Sequence, residues 1–495
     1  MSKSGQLKER LQNLEAHLKL ENPILLNVVK SFRKLDKVSR RLGFLDREES
    51  YATRIPWWPL IVSLGVYSSG KSTFLNHYLG YDLQRTGNQA VDDKFTVVCF
   101  SSDDTSMVLP GLALDSDPRF PFYKISRDIE EIAVGEGRRI DVYLQLKTCP
   151  SERVRGKILI DSPGFDADAQ RTSTLRITNH IIDLSDLVLV FFDARHPEPG
   201  TMHDTLNHLV SNTINRADSG KFLYILNQMD TTAREDNPED VVASWQRALS
   251  QKGLTAGRFY RIYNPNAAVH IEDANLRARF ESKRDADLAD IHARMHQVEV
   301  ERAYRVVATL EKTAHDIADK IVPKLQELIA RWRCRVLWTD GILFGSIIAV
   351  VLGWTMWTGH WSGLSFTHPL RGKLLNDPVG RLVALGVVFA LGGYAHFSIR
   401  KRVAKRVIAG LQREIRDMKN IEFMGNLTRA FRKNTRFWRS IFCKQPIGSG
   451  QRANRYLQEV LAEATNFVQE LNNKFTDPSG IGDTSSGQTD EVETP

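Results

Sequence analysis

The sequence predicts two joined architectures. One is an α/β P-loop domain with a doubly wound, mostly parallel sheet; the other is an α-helical bundle or stalk carrying a transmembrane or membrane-inserted helical hairpin. Three observations predict this. Gly65-Val-Tyr-Ser-Ser-Gly-Lys-Ser72 lies between a short apolar run, Leu60 to Leu64, and a helix-like segment, Thr73 to Leu79. Apolar runs alternate with helical patterns throughout 60–285, as strands joined by crossover helices do. Late in the chain, Gly341 to Trp357 and Leu382 to Ile399 carry no Asp, Glu, Lys or Arg.

The first stretch is G-x-x-x-x-G-K-S in its required context, strand then loop then helix. Its glycines let the backbone curl so that successive N–H groups face one anion, and the helix start adds its positive end. Lys71 can reach the outer phosphates, and the Ser72 hydroxyl is placed to ligate magnesium. Gly65, Tyr67, Ser68, Ser69, Gly70, Lys71, Ser72 and Thr73 are thus the expected phosphate-binding residues. The implied ligands are a nucleoside triphosphate and Mg2+. A glycine-rich turn before a helix is the bland alternative, but it does not require all three constraints together.

At 495 residues the chain has room for roughly two to four domains. Its 67 Lys and Arg against 59 Asp and Glu give a net charge of +8, and the acidic end, 476–495, makes the body more basic still. Such an excess suits nucleic acid or an anionic membrane. With no nucleic-acid module and no aromatic-studded basic run recognised, a membrane is the expected partner and nucleic acid is not. Cys99, Cys149, Cys334 and Cys443 are scattered without metal spacing, which fits a reducing compartment. No signal-type apolar core is seen near the N-terminus.

Residues 5–45 are expected to be helical. Leu7, Leu11, Leu14 and Leu18 form one stripe, and Leu25, Val28, Val29, Phe32 and Leu35 continue it. The favoured reading is an amphipathic pair packing on neighbouring helices; contact of Lys30 to Arg41 with lipid head groups is the alternative. Pro56 and Pro59, around Trp57 and Trp58, mark the entry to the nucleotide domain.

Gly87 to Phe95, followed by a strand from Thr96 to Phe100, occupies the place of a GTPase first switch. Asp92 stands where a threonine usually meets magnesium, and Thr96 is expected inside the strand. A strand from Lys157 to Ile160 ends in Asp161-Ser-Pro-Gly164, the D-x-x-G of a second switch. A carboxylate there can hold magnesium through water, and the Gly164 N–H can meet the γ-phosphate. Leu187 to Phe192 reads as a strand buried on both faces. Phe222 to Leu226 runs into Asn227-Gln-Met-Asp230, which resembles the guanine-reading N-K-x-D with Gln228 in the lysine's place. Asn227 and Asp230 are carried as base-site residues, with weaker discrimination expected. Tyr260 to Asn264 is the last expected strand.

On these residues, the segment from Val62 to Val98 resembles the dynamin superfamily, most of all its branch of EH-domain-containing membrane-remodelling ATPases. Asp93-Lys-Phe95, Leu109-Pro110-Gly111, Pro121-Phe122 and Phe192-Asp193-Ala194 follow in the same order, and Asp287 to Leu310 resembles the helix after the GTPase domain. The likeness covers about 55–315. It implies that Ser68 neutralises transition-state charge when two heads pair, so Ser68 and Lys71 are the implied catalytic residues, with Ser72 and Asp161 on the metal. The chain departs from that branch in lacking an EH module and in carrying the two apolar stretches.

Those stretches, at about 1.5 Å per residue, reach roughly 25–27 Å, just enough for a bilayer core. Arg331, Arg333 and Arg335 precede the first; Arg400, Lys401, Arg402, Lys405 and Arg406 follow the second. The positive-inside rule then keeps the GTPase head and both termini on the cytoplasmic side. A paddle dipping into one leaflet and a hairpin buried in a soluble core are the alternatives. Apolar stripes before and after the hairpin read as bundle core. The expected organisation is N-terminal helices at 1–50 and a GTPase domain at 55–285, with stalk parts at 287–337 and 400–475. The hairpin falls at 338–399 and a polar, disordered tail at 476–495. This layout resembles bacterial dynamin-like proteins and mitofusins. The function it implies is a membrane-anchored GTPase that couples head-to-head self-association to membrane remodelling, tethering, fusion or fission. Use of ATP in place of GTP, or a nucleotide-switched scaffold without hydrolysis, is the rival.

Overall fold

The computed structural model describes residues 3–85, 94–117, 120, 122, 125–132, 135–164, 172–195, 219–234, 238–251, 258–362, 365–366, 378–416 and 421–475. Helices α1 (Lys3–Glu21) and α2 (Pro23–Leu42) open the chain. Strand β1 (Leu60–Gly65) and helix α3 (Lys71–Leu79) flank the P-loop. They are followed by β2 (Phe95–Phe100), β3 (Val108–Pro110), β4 (Leu144–Cys149), β5 (Ile158–Asp161) and α4 (Thr172–Leu184). Next come β6 (Leu187–Asp193), β7 (Phe222–Asn227), α5 (Pro238–Gln251) and β8 (Arg258–Arg261). A long helix, α6 (Ala274–His315), passes through a π-helical turn, Asp316–Ile321, into α7 (Val322–Trp357). Helices α8 (Pro378–Arg416), α9 (Ile421–Asn434) and α10 (Gln451–Phe475) end the described chain.

Two compact units result. One comprises Lys8–Leu26, Ala52–Val307 and Asn473–Pro495; the other comprises Met1–Leu7, Asn27–Tyr51 and Ala308–Asn472. The divisions fall within α1, α2 and α6.

In the first unit an eight-stranded sheet runs in the order β3-β4-β2-β5-β1-β6-β7-β8. The pairs β1/β5, β1/β6, β2/β4, β6/β7 and β7/β8 are parallel, while β2/β5 and β3/β4 are antiparallel. Both faces are covered. Leu60, Val62 and Leu64 pack with Ile177, Ile181, Trp245 and Leu249 of α4 and α5. Ile61 turns the other way, with Phe74, Leu75, Tyr78 and Leu79 of α3 and Ile291, Met295 and Val298 of α6. The period-2 alternation of a strand buried on both sides explains why β1 and β6 read as unbroken apolar runs. β3 and β4 were not anticipated: β3 has three residues, and β4 carries Lys147 buried in its middle. The last strand is Arg258–Arg261, earlier than the expected Tyr260 to Asn264.

In the second unit, α2 packs on α10. Lys34 Nζ bridges Glu459 and Glu463, each at 2.5 Å, and Ser31 Oγ donates to Glu463 at 2.6 Å. Val28, Val29, Phe32, Leu35, Val460 and Leu471 are buried there. Helices α7 and α8 run antiparallel, with Trp332 at Arg400, Asp340 at His396 and Phe344 at Gly392. Both are long and apolar enough to cross a membrane, with mean hydropathy 1.9 and 1.8 in their most apolar windows. Their apolar side chains point outward: Val350 is 70 % exposed, Leu382 77 % and Phe389 72 %.

Candidate functional site

The P-loop turns between the end of β1 and the start of α3. Gly70, with φ 83°, precedes the helix, and a Cβ there would lie 2.2 Å from Asn227 Nδ2. Both its backbone conformation and its surroundings exclude a side chain. Ser68 adopts φ 57°, a left-handed conformation rare for a non-glycine residue. Its carbonyl is held by Gln228 Nε2 at 2.6 Å and Arg195 Nη2 at 3.5 Å. The buried Ser69 turns its hydroxyl inward to Val66 O at 2.8 Å, bracing the loop.

Lys71 is buried, its Nζ donating to Gly65 O at 3.1 Å and Val66 O at 3.0 Å. Burial lowers its pKa to about 8, partly opposed by the charge of Asp161. At the end of β5, Asp161 accepts hydrogen bonds from Ser72 Oγ at 2.7 Å, Ser63 Oγ at 2.9 Å and Gln84 Nε2 at 3.1 Å. Gln84 in turn accepts Lys147 Nζ at 2.5 Å, and its backbone is clasped by Asn76 of α3 at 2.9 and 2.8 Å. The hydroxyl and carboxylate beside the loop are a hard oxygen pair. No cluster of three His, Cys, Asp or Glu occurs among the described residues. The Ser72–Asp161 pair fits Mg2+, which takes one or two protein oxygens and completes its shell with water and phosphate.

Asn227 ends β7, and Asp230 lies in the turn that follows it. Asn227 Nδ2 donates to Ser69 O at 2.9 Å, fastening this motif to the P-loop. Gln228, with φ 63°, fastens it a second time through Ser68. Asp230 is buried and accepts Val269 N–H at 2.8 Å. Burial pushes its pKa up, against backbone hydrogen bonds and the charge of Arg195. The Gly164 backbone lies against Tyr67, where a Cβ would come within 2.5 Å of the ring.

One cavity of about 420 Å3 gathers these groups, within the ~300–1,000 Å3 usual for ligand pockets. Tyr67, Ser68, Gly70, Lys71, Ser72, Thr73, Asp161, Gly164, Asn227 and Asp230 line it, while the anticipated Gly65 and Ser69 lie beneath the loop. Thr96 sits inside β2, as expected, opposite Asp161 in the register, and its Oγ1 is bonded by Gln145. Asp92 and the rest of 86–93 lie outside the described residues.

Sequence reasoning missed Arg195, Gln84, Arg85, Lys94 and the segment holding Asn264, Ala267 and Val269, all but Gln84 on the cavity wall. Arg195 is clamped by Asp193, Nη2 to Oδ2 at 2.6 Å and Nε to both oxygens at 3.0 Å. The available signal was position: Asp193-Ala-Arg195 follows the carboxyl end of a buried parallel strand, where α/β sheets place their sites.

A P-loop at the mouth of a central parallel strand, a serine and a strand-end carboxylate beside it, and an Asn-x-x-Asp segment tied back to the loop define a GTPase-type nucleotide domain. Residues 61–229 match the dynamin family. Similar curated proteins include EH domain-containing protein 1 of Homo sapiens and of Bos taurus, each 28% identical over 182 residues. EH domain-containing protein 3 of Rattus norvegicus is 26% identical over the same length. These matches cover 35% of this chain and 31% of the relatives, about a third of their length. A solved structure described as an oligomerised bacterial dynamin pair, with a mechanism for long-range sensing and tethering of membranes, overlaps 96% of this chain and 73% of its own. Its identity is 13% and its TM-score 0.31.

Proposed function

We propose that this chain is a membrane-anchored dynamin-like GTPase that couples nucleotide-dependent pairing of its heads to membrane remodelling or tethering. The observation that carries the reading is the Ser72–Asp161 hydrogen bond beside buried Lys71, within one cavity that also holds Asp230. In this reading Lys71 and the N–H groups of residues 67–72 hold the phosphates. Ser72 and Asp161 would hold Mg2+, which would neutralise charge on the phosphate oxygens. Gly164 senses the γ-phosphate, Asn227 keeps the base site in register with the P-loop, and Asp230 reads the base. Ser68, held in a left-handed conformation, presents its hydroxyl where charge develops. Arg195, fixed by Asp193, is an additional positive charge on the same wall. The chemistry is electrostatic positioning more than proton transfer.

Membrane anchoring is supported by the outward-facing apolar side chains of α7 and α8, since an apolar surface of that extent marks a site for lipid or a partner. The flanking arginines and lysines favour a hairpin with both arms on one side. ATP use is a second reading on one observation: Gln228, in place of the lysine, spends its amide on Ser68 O.

The test is phosphate release from GTP and from ATP across protein concentrations, with and without liposomes. GTP turnover per molecule that rises with concentration and lipid is expected. A flat rate with either nucleotide overturns the coupled mechanism, and preference for ATP overturns the GTP assignment.

A further inference from the structure

The loop between α9 and α10 turns its largest side chains outward. Phe437, Trp438 and Phe442 are 68 %, 64 % and 75 % exposed, while Ile441 between them is buried. The loop has a fixed shape: the buried Asn434 carboxamide accepts Arg439 Nη1 at 2.5 Å and Ile447 N–H at 2.7 Å, and donates to Ala430 O at 2.8 Å. The stretch of sequence around it is uniformly basic. From Phe423 to Gln458 there are eight Lys and Arg and no Asp or Glu. Arg436 lies over the Trp438 ring at 5.1 Å. Arg436-Phe-Trp-Arg439 is thus an aromatic-studded basic run, contrary to the sequence expectation that none exists.

Its position gives the run a meaning. Arg400, the first basic residue after the apolar stretch of α8, donates to the carbonyls of Arg436 at 3.1 Å, Phe437 at 3.4 Å and Arg439 at 2.7 Å. The Phe437 ring meets the edge of Phe397, 6.5 Å between centroids, inside that stretch. The loop is therefore pinned where lipid-facing side chains give way to charge, the depth at which amphipathic aromatic rings and basic side chains settle at a bilayer interface.

We propose that Arg436–Lys444 is a second, interfacial membrane contact, in which Phe437, Trp438 and Phe442 enter the head-group layer and Arg436 and Lys444 meet anionic lipid phosphates. Continuity with the apolar face of α8 favours lipid over nucleic acid or a second copy. The proposal takes its depth from the hairpin reading above.

Two fluorescent probes separate the two ideas in the full-length chain. Cys334→Ser leaves Cys443 as the exposed thiol, beside Phe442. A second variant, Cys334→Ser with Cys443→Ser and Val350→Cys, reports on the hairpin. Each carries an environment-sensitive dye and meets vesicles containing quencher-labelled lipid, either zwitterionic alone or doped with anionic lipid. Quenching at both positions is expected, stronger at Cys443 with anionic lipid. Quenching at Cys443 alone keeps the loop contact and removes the hairpin. Quenching at 350 alone overturns the loop and leaves the hairpin; quenching at neither overturns both. A lipid-independent shift at Cys443 that grows with protein concentration assigns the patch to a second copy, and one produced by added oligonucleotide assigns it to nucleic acid. Either overturns the proposal. Arg436→Gln and Lys444→Gln should each weaken the anionic-lipid response roughly fivefold, and Trp438→Ser should remove most of the remaining quenching.

Discussion

β1 and α8 are built from the same residue types and bury them in opposite senses. Leu60, Ile61, Val62 and Leu64 are almost wholly covered, whereas Leu382, Phe389 and Leu391 of α8 are mostly exposed. Polar groups invert in step. In the nucleotide domain Lys71, Asp161 and Asp230 converge on an open cavity walled by an apolar sheet. In the helical hairpin Asp340 and His396 meet between α7 and α8, His396 Nδ1 lying 2.7 Å from Asp340, and Arg400 is buried against the α9–α10 loop. A soluble domain exposes scattered apolar residues, but a continuous apolar helix face with its charges turned inside is built for a different solvent. In the proposed reading one chain is folded for two media, and each half can be challenged without the other.

The largest effect is expected from Lys71→Ala. It should lower nucleotide turnover by about a hundred- to a thousandfold, the scale of losing one preorganised charge at the reacting centre. Vesicle association in a flotation gradient should not change. Turnover at the normal rate would mean that this cavity is not where the triphosphate is held. Val350→Arg is the mirror experiment. An arginine at the middle of a membrane helix costs about 2.5–3.5 kcal/mol, enough to reduce membrane insertion about a hundredfold while basal turnover stays. If α7 ends in water, a substitution at so exposed a position shifts stability by only about 0.5 kcal/mol, and flotation of the variant would match that of the natural chain.

The P-loop was legible because its physics is local: eight consecutive residues between a strand and a helix fix the backbone and the lysine together. The hairpin was legible for the same reason, as a run of uncharged residues. What the sequence hid is non-local. Gln84 meets Asp161 across 77 positions, and Arg195 reaches Ser68 across 127; nothing beside either residue hints at its partner. β4 was hidden by Lys147, which breaks the apolar pattern unless Gln84 is known to receive its ammonium group. The aromatic loop was overlooked because nothing in the sequence tells that Phe437, Trp438 and Phe442 are exposed.

The Gln84 network sharpens the comparison on the nucleotide side. Gln84→Leu keeps roughly the volume but removes one donor to Asp161 and one acceptor of Lys147, both buried. Such a loss costs about 1–3 kcal/mol, or roughly 2–4 °C of melting temperature for each kcal/mol in a domain of this size. Affinity for nucleotide measured without magnesium should hardly move, while magnesium should tighten binding less than in the natural chain, because Asp161 loses a bond that orients it. An unchanged melting temperature would show that Lys147 and Asp161 are satisfied without Gln84.

The smallest effect concerns a single proton. Burial takes Lys71 from 10.5 to about 8, so between those values the unfolded chain binds more protons than the folded one. The ligand-free domain therefore gains stability as pH rises through that window and carries the whole burial penalty below it. A bound triphosphate reverses the bias, because an adjacent anion favours the ammonium form. Nucleotide binding at pH 8 should then take up about half a proton, seen as a dependence of the calorimetric heat on buffer ionisation enthalpy, and should fade as pH falls toward 6. Lys71→Arg keeps the charge and should show no uptake at any of these pH values. Uptake that persists in the arginine variant would move the titrating group elsewhere in the cavity. No uptake in the natural chain would mean that the Gly65 and Val66 carbonyls already hold the ammonium charged before the phosphates arrive.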